Sequence, residues 1–213
     1  MAKVGLNKRN ICQAAIDLID AEGLKNLSMR KLAKRLNVKA ASLYNHVHNK
    51  SALLDLIQAF LYNHLPVLTN TKDWKKHLME LANATRWGLL HHPNMLTLFA
   101  TRPTITEAAL NQAEQTLGLL LQAGFNQDEV LMIFRNLNVF ILGHVLAEVG
   151  RPPGTTKEDV EPSIATTNID KYPILQKASS YKKNIDFDYG FKVGITSLIK
   201  GYEHALKKQG SLA

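Results

Sequence analysis

Cysteine is almost absent from this chain of 213 residues: Cys12 is the only one. No internal disulfide can form. Its neighbours Ile11, Ala15 and Ile16 assign Cys12 to a buried, small apolar position rather than to a redox switch. Strand-like alternation is missing at every useful length, which argues against a sheet. No unbroken apolar run of about eighteen residues occurs, and the opening MAKVGLNKRN has no apolar leader, so a cytoplasmic protein without a membrane span is expected. There is no nucleophile elbow, phosphate loop or metal-ligand spacing. Around His64, His91, His92 and His144 no cysteine or carboxylate completes a ligand set, so neither a metal nor a cofactor is expected.

The most informative absence is local. Between Glu22 and Asp55 there is no acidic residue, while seven lysines and arginines fall in the same stretch. Residues 1–50 hold ten basic residues against three acids, and the remainder is nearly neutral, although the whole chain carries +8. A confined positive excess suits a polyanion: counterions released from phosphates favour DNA binding, and an acidic membrane surface is the competing partner.

What is present is helical punctuation. Asn7 caps a first helix with Ile11, Ala14, Ala15, Leu18 and Ile19 at helical spacing, and Gly23 ends it. Ser28 caps a second, with Leu27 and Leu32 placed as a hydrophobic staple. Asn37 tolerates the turn conformation, Val38 plugs it, and a third helix begins near Ala40. A fourth starts near Asn49 and stops before Pro66. Further helices are expected over about 73–91, 94–100, 104–123, with Thr104 and Glu107 as a capping box, and 126–149, the longest apolar stretch, which should be buried on most sides. Residues 150–168 read as a loop, 170–181 as a short helix and 187–208 as the last helix. The last helix carries Gly190, Gly194 and Gly201, whose cost points to a close helix–helix contact.

Wound at about 100° per residue, the third helix puts Leu43 and Val47 inward and Ala41, Ser42 and Asn45 outward, with Tyr44 and His46 beside them. Small and amide side chains without acids suit base edges: Asn45 matches adenine, Ser42 donates or accepts, and alanine methyls meet thymine methyls. Arg30 reaches toward guanine. Lys50 and Ser28, at helix N-termini, suit phosphates.

The segments LSMRKLAKRLNV, SLYNHVHNK and ALLD, and more weakly HHPNMLTLFATRP, LLLQAGFNQDEV and ILGHVLAEVG, resemble the TetR family, the tetracycline repressor subgroup in particular. The resemblance implies an all-α homodimer: a three-helix helix-turn-helix head over 1–50, and a helical ligand-binding and dimerisation domain over 51–213 whose 51–65 segment is a connector. It implies base contacts from Arg30, Ala40, Ala41, Ser42, Asn45 and His46, with Lys39 among the DNA-binding residues, and phosphate contacts from Ser28, Tyr44 and Lys50. Partners are then double-stranded operator DNA and a small-molecule inducer.

Candidate ligand residues are His64, Trp87, Leu98, Arg102 and His144. Trp74, Trp87 and Phe99 each read as cavity wall or core, with Trp74 assigned to core; Arg102 reads as an anion clamp or as a structural cap. The family's dimer bundle falls on the two long C-terminal helices, here with Phe134, Ile141, Val145, Gly190, Gly194 and Leu198. Where the tetracycline repressor has a metal-ligating histidine and an acidic partner this chain has Leu98 and Ala147, which counts against a metal–tetracycline inducer. The alternative reading is a small-molecule enzyme or carrier with a vestigial helix-turn-helix.

Overall fold

The structure, a computed structural model, describes residues 6–150, 171–179 and 186–210; the loop expected over 150–168 lies, apart from Gly150, outside them. Every regular element among the described residues is helical. In α1 (Lys8–Glu22) Asn7 accepts from the Asn10 amide, and Gly23 ends the helix at φ 84°. In α2 (Met29–Arg35) Ser28 accepts from the Lys31 amide, and α4 (Lys50–Tyr62) begins with Asn49 accepting from Ala52. Each such cap is worth about 1 kcal/mol. Between α2 and α3 (Ala40–Tyr44), Asn37 takes φ 53° and the Val38 amide returns to the Ala33 carbonyl at 3.0 Å, closing the turn.

These four helices share one core. Ile11, Ile16 and Ile19 of α1 meet Leu32, Leu43 and Val47, and the core continues into Leu53, Ile57 and Leu61 of α4. The packing therefore carries the N-terminal unit past residue 50, because α4 has one apolar face turned onto α1. Cys12 is buried there, donating to the Leu56 carbonyl at 3.5 Å, and burial pushes its thiol up to about 12.

The second core is built by α5 (Trp74–His91), α7 (Glu107–Gln122), α8 (Gln127–Val149) and α10 (Phe187–Gly210), with Leu78, Leu120, Ile133, Leu137, Phe191 and Ile195 inside. Trp74 fills core, edge-on to Phe125. A short α9 (Pro173–Ser179) lies in the stretch expected to be helical. A 3₁₀ turn at Pro93–Met95 leads into α6 (Leu96–Thr101), which joins the two cores: Met95 and Leu98 belong to the first, Leu96 to the second, and Phe99 touches both.

Two expectations change. Thr106, not Thr104, caps α7, accepting from the Ala109 amide at 3.2 Å. And α8 is buried on one side only. By length and composition it is apolar enough to cross a membrane, yet its buried face packs on α5, α7 and α10. Leu131 (59% exposed), Met132, Val139 (61%) and Leu146 (57%) form an open, mostly apolar stripe on the other side, with the exposed Arg135 among them.

Candidate nucleic-acid interface and ligand cavity

The tight turn after Asn37 leads into α3, which has one side buried and the other open to solvent. Leu43 and Val47 are fully buried, which turns Ala40, Ala41, Tyr44 and Asn45 to solvent and leaves Ser42 and His46 half-exposed. The helix is only five residues long, but Asn45 still holds helical angles at its end (φ −69°, ψ −21°), so it stays on the outward face. Arg30 and Lys39 are exposed beside it. Lys50 adds a structural duty: its Nζ donates to the Leu27 carbonyl oxygen at 2.7 Å, tying the start of α4 to the residue that precedes the Ser28 cap.

Beneath this head lies a cavity of about 460 Å³, a volume ordinary for a small-molecule site. Its walls come from the end of α4 (Leu61, Tyr62), α5 (Thr85, Trp87, His91), the α6 region (Phe99, Arg102), α7 (Ala109, Leu110) and α8 (Phe134, Asn138). The Trp87 and His91 rings pack tilted at 37° with centres 3.9 Å apart, and Phe60 stacks on His64 at 4.1 Å. Burial raises the Tyr62 phenol above its ordinary value, so it stays protonated at neutral pH.

One face of α4 grips the segment that closes this cavity. Arg102 Nη2 donates to Asp55 Oδ1 at 2.6 Å and to Ser51 Oγ at 2.7 Å, with Nε on the same carboxylate at 2.9 Å. One turn further along, Gln58 is buried and its Nε2 donates to Thr104 Oγ1 at 2.9 Å. Ser51, Asp55 and Gln58 follow helical spacing, so the connector helix and the cavity wall are hydrogen-bonded along one stripe. The expected residues gave no place to Ser51, Asp55 or Gln58. The available signal was Gln58 itself, an amide on the face that carries Leu54 and Leu61, since a buried polar group needs a partner.

The expected ligand residues divide. His64, Trp87 and Arg102 line the cavity. Leu98 does not: it is buried in the first core, one helical step from the wall that Phe99 forms. His144 does not either; it faces α10, its Nε2 3.0 Å from the Phe187 carbonyl oxygen and its ring against Phe191. Arg102 is tied structurally to α4 and is also part of the cavity wall.

The expected dimer residues need correction as well. Ile141 and Val145 are buried in the chain's own core, and Phe134 lines the cavity, because the inner half of α8 is spent on the bundle. Gly194 is half-buried and faces α8: a β-carbon there would collide with the Phe140 ring. Gly190 is exposed and Leu198 half-buried.

Residues 65–206 match the family model described as tetracyclin repressor-like, C-terminal domain, and residues 11–57 that of bacterial regulatory proteins, tetR family. The chain belongs to the TetR family. The class E tetracycline repressor of Escherichia coli is 31% identical over 98% of this chain and 95% of its own length. Among solved structures, ActR of Streptomyces coelicolor in complex with actinorhodin is 25% identical with a TM-score of 0.76, covering 95% of this chain and 99% of that one. A variant TetR of Acinetobacter baumannii in complex with minocycline is 29% identical with a TM-score of 0.68, covering 94% and 98%. TetR regulators bind DNA operators and small molecules, and this chain is a helix-turn-helix transcriptional regulator of that kind, with its head at α2–α3 and a ligand-sized cavity below.

Proposed function

We propose that this TetR regulator is a non-catalytic, cytoplasmic homodimeric repressor that holds a palindromic operator until a small molecule enters the cavity. The observation that carries this reading is the shared wall: α4 leads directly from the reading head, contributes Leu61 and Tyr62 to the cavity, and is hydrogen-bonded through Ser51, Asp55 and Gln58 to the segment that closes it. A ligand that shifts residues 102–104 therefore shifts α4, and with it the separation of two heads in a dimer.

Asn45, Ser42, Ala40, Ala41, His46 and Arg30 read base edges in this proposal, and Ser28, Tyr44, Lys39 and Lys50 hold the backbone. The outer stripe of α8, together with Tyr189, Gly190 and Val193 on α10, supplies the dimer contact. The test is selection of binding duplexes from a random pool followed by footprinting. The expected footprint is two-fold symmetric, with half-sites about 34–36 Å apart or a multiple of that spacing. An enriched sequence protected over one asymmetric half-site, or no enrichment at all, overturns the proposal.

A further inference from the structure

The cavity's charge is one-sided. Its described wall holds the permanent cation Arg102 and three imidazoles, His64, His91 and His92, and not one aspartate or glutamate. The acids that balance these groups stand outside it: Asp55 on α4 holds Arg102, and Asp20 on α1 lies 2.8 Å from His92. The remaining wall is largely apolar or aromatic, with Trp87, Phe99 and Phe134 among its residues. A cationic ligand would enter this space with no carboxylate to meet it, and burying an unpaired cation is costly. An acidic aromatic molecule meets aromatic residues and Arg102, a wall residue whose guanidinium is held by Asp55 and Ser51 of α4.

Arg102 already has a partner, and that gives the charge a consequence. Asp55 accepts from both Nε and Nη2 of Arg102, yet its own side chain is 55% exposed, so it is rehydrated readily once released. A ligand carboxylate or phenolate arriving from the cavity side competes for the same guanidinium fork, which binds such groups with directional, charge-assisted hydrogen bonds.

We propose that the inducer is an acidic, planar aromatic molecule whose anionic group takes Arg102 from Asp55 and so loosens α4. This rests on the repressor reading for its effect on DNA, but the ligand class stands on the cavity alone. A neutral molecule of the same shape fills the cavity and leaves the Arg102–Asp55 link closed.

Three probes of one shape test it: anthraquinone-2-carboxylate, its carboxamide, and the 2-aminomethyl cation. Binding is followed by quenching of tryptophan fluorescence, Trp87 being in the wall, and duplex release by anisotropy with the duplex selected above. In the wild-type chain the carboxylate is expected to bind about tenfold or more tighter than the other two, and at saturation it alone releases DNA. Asp55→Asn, a change at an exposed position, is expected to widen the carboxylate-to-carboxamide ratio by several-fold; Arg102→Gln is expected to abolish the ratio. A carboxamide or cation that binds as tightly as the carboxylate overturns the proposal, and so does an Asp55→Asn ratio equal to wild type, which remains readable if Arg102→Gln fails to fold. Fluorescence binding needs no DNA. Failure to bind any duplex therefore counts against the repressor reading, while the charge preference is decided separately.

Discussion

The ring of Phe140 on α8 occupies the space that a β-carbon on Gly194 of α10 would fill: that position lies 2.6 Å from Phe140 Cε2. Glycine at 194 is what lets the two long helices approach. Gly194→Ala is therefore expected to destabilise the fold by about 1–3 kcal/mol through overpacking, despite alanine's better helix propensity. Gly118, within α7, has nothing within 4 Å of such a carbon, so Gly118→Ala is expected to stabilise by about 0.5–1 kcal/mol. Urea midpoints at one fixed protein concentration read both; equal signs for the two variants would refute the assignment.

His77 makes stability depend on pH. It is fully buried between α5 and α7, its Nε2 2.9 Å from Thr116 Oγ1, while the Thr116 hydroxyl donates to the Gln112 carbonyl at 2.7 Å. Thr116 is thus the acceptor and Nε2 carries the proton, leaving Nδ1 bare and without a partner. Burial, partly opposed by Glu80, lowers the His77 pKa below its ordinary 6.5. The unfolded chain then binds the extra proton first, so the contribution is complete above about pH 6.5 and is lost as pH falls through that value toward the folded pKa. Urea midpoints taken between about pH 7.5 and 5.5 should fall more steeply in the wild type than in His77→Gln. Parallel slopes would remove His77 from the account.

Lys50 has two roles to lose. Lys50→Ala takes a cation from the proposed DNA face, which should weaken binding to all sequences alike and reduce the salt slope by about one. It also strips the Leu27 carbonyl of its donor, so the head itself should lose about 1 kcal/mol of stability. Asn45→Ala is expected to act otherwise, costing about 1–3 kcal/mol at one base pair per half-site with stability unchanged. Binding titrations over a panel of operator variants separate the two, and identical profiles would end the division of labour.

These cases show where the sequence was legible. Caps and turns announce themselves locally: Asn7, Ser28, Asn49 and Asn37 each do within four residues what their types suggest, and the head followed from them. Thr104 misleads because its hydroxyl is taken by Gln58, forty-six residues away, leaving the α7 cap to Thr106. Leu98 and Phe99 are neighbours in the chain but end in a core and in a cavity wall, a distinction fixed only when α1 and α8 arrive on either side. In α8 the difficulty is sharper, since a helix with apolar residues on every side does not reveal which half the bundle uses.

That half can be tested directly. At about 100° per residue, Leu131, Met132, Val139 and Leu146 fall within about 100° of one another, while Ile133, Leu137, Ile141 and Val145 occupy the opposite arc. Val139 and Ile141 are two residues apart and should fail in different ways. Val139→Glu places a charge on the open stripe: the subunit should keep its folded stability, and sedimentation should show monomers where the wild type is expected to be dimeric, with operator affinity falling because two heads are no longer joined. Ile141→Ala opens a hole in the core and should cost about 2–5 kcal/mol, with no direct loss at the subunit contact. If Val139→Glu stays dimeric at micromolar concentration, the outer stripe of α8 is not the interface. The two-fold spacing expected of the operator would then have to come from another face of the molecule.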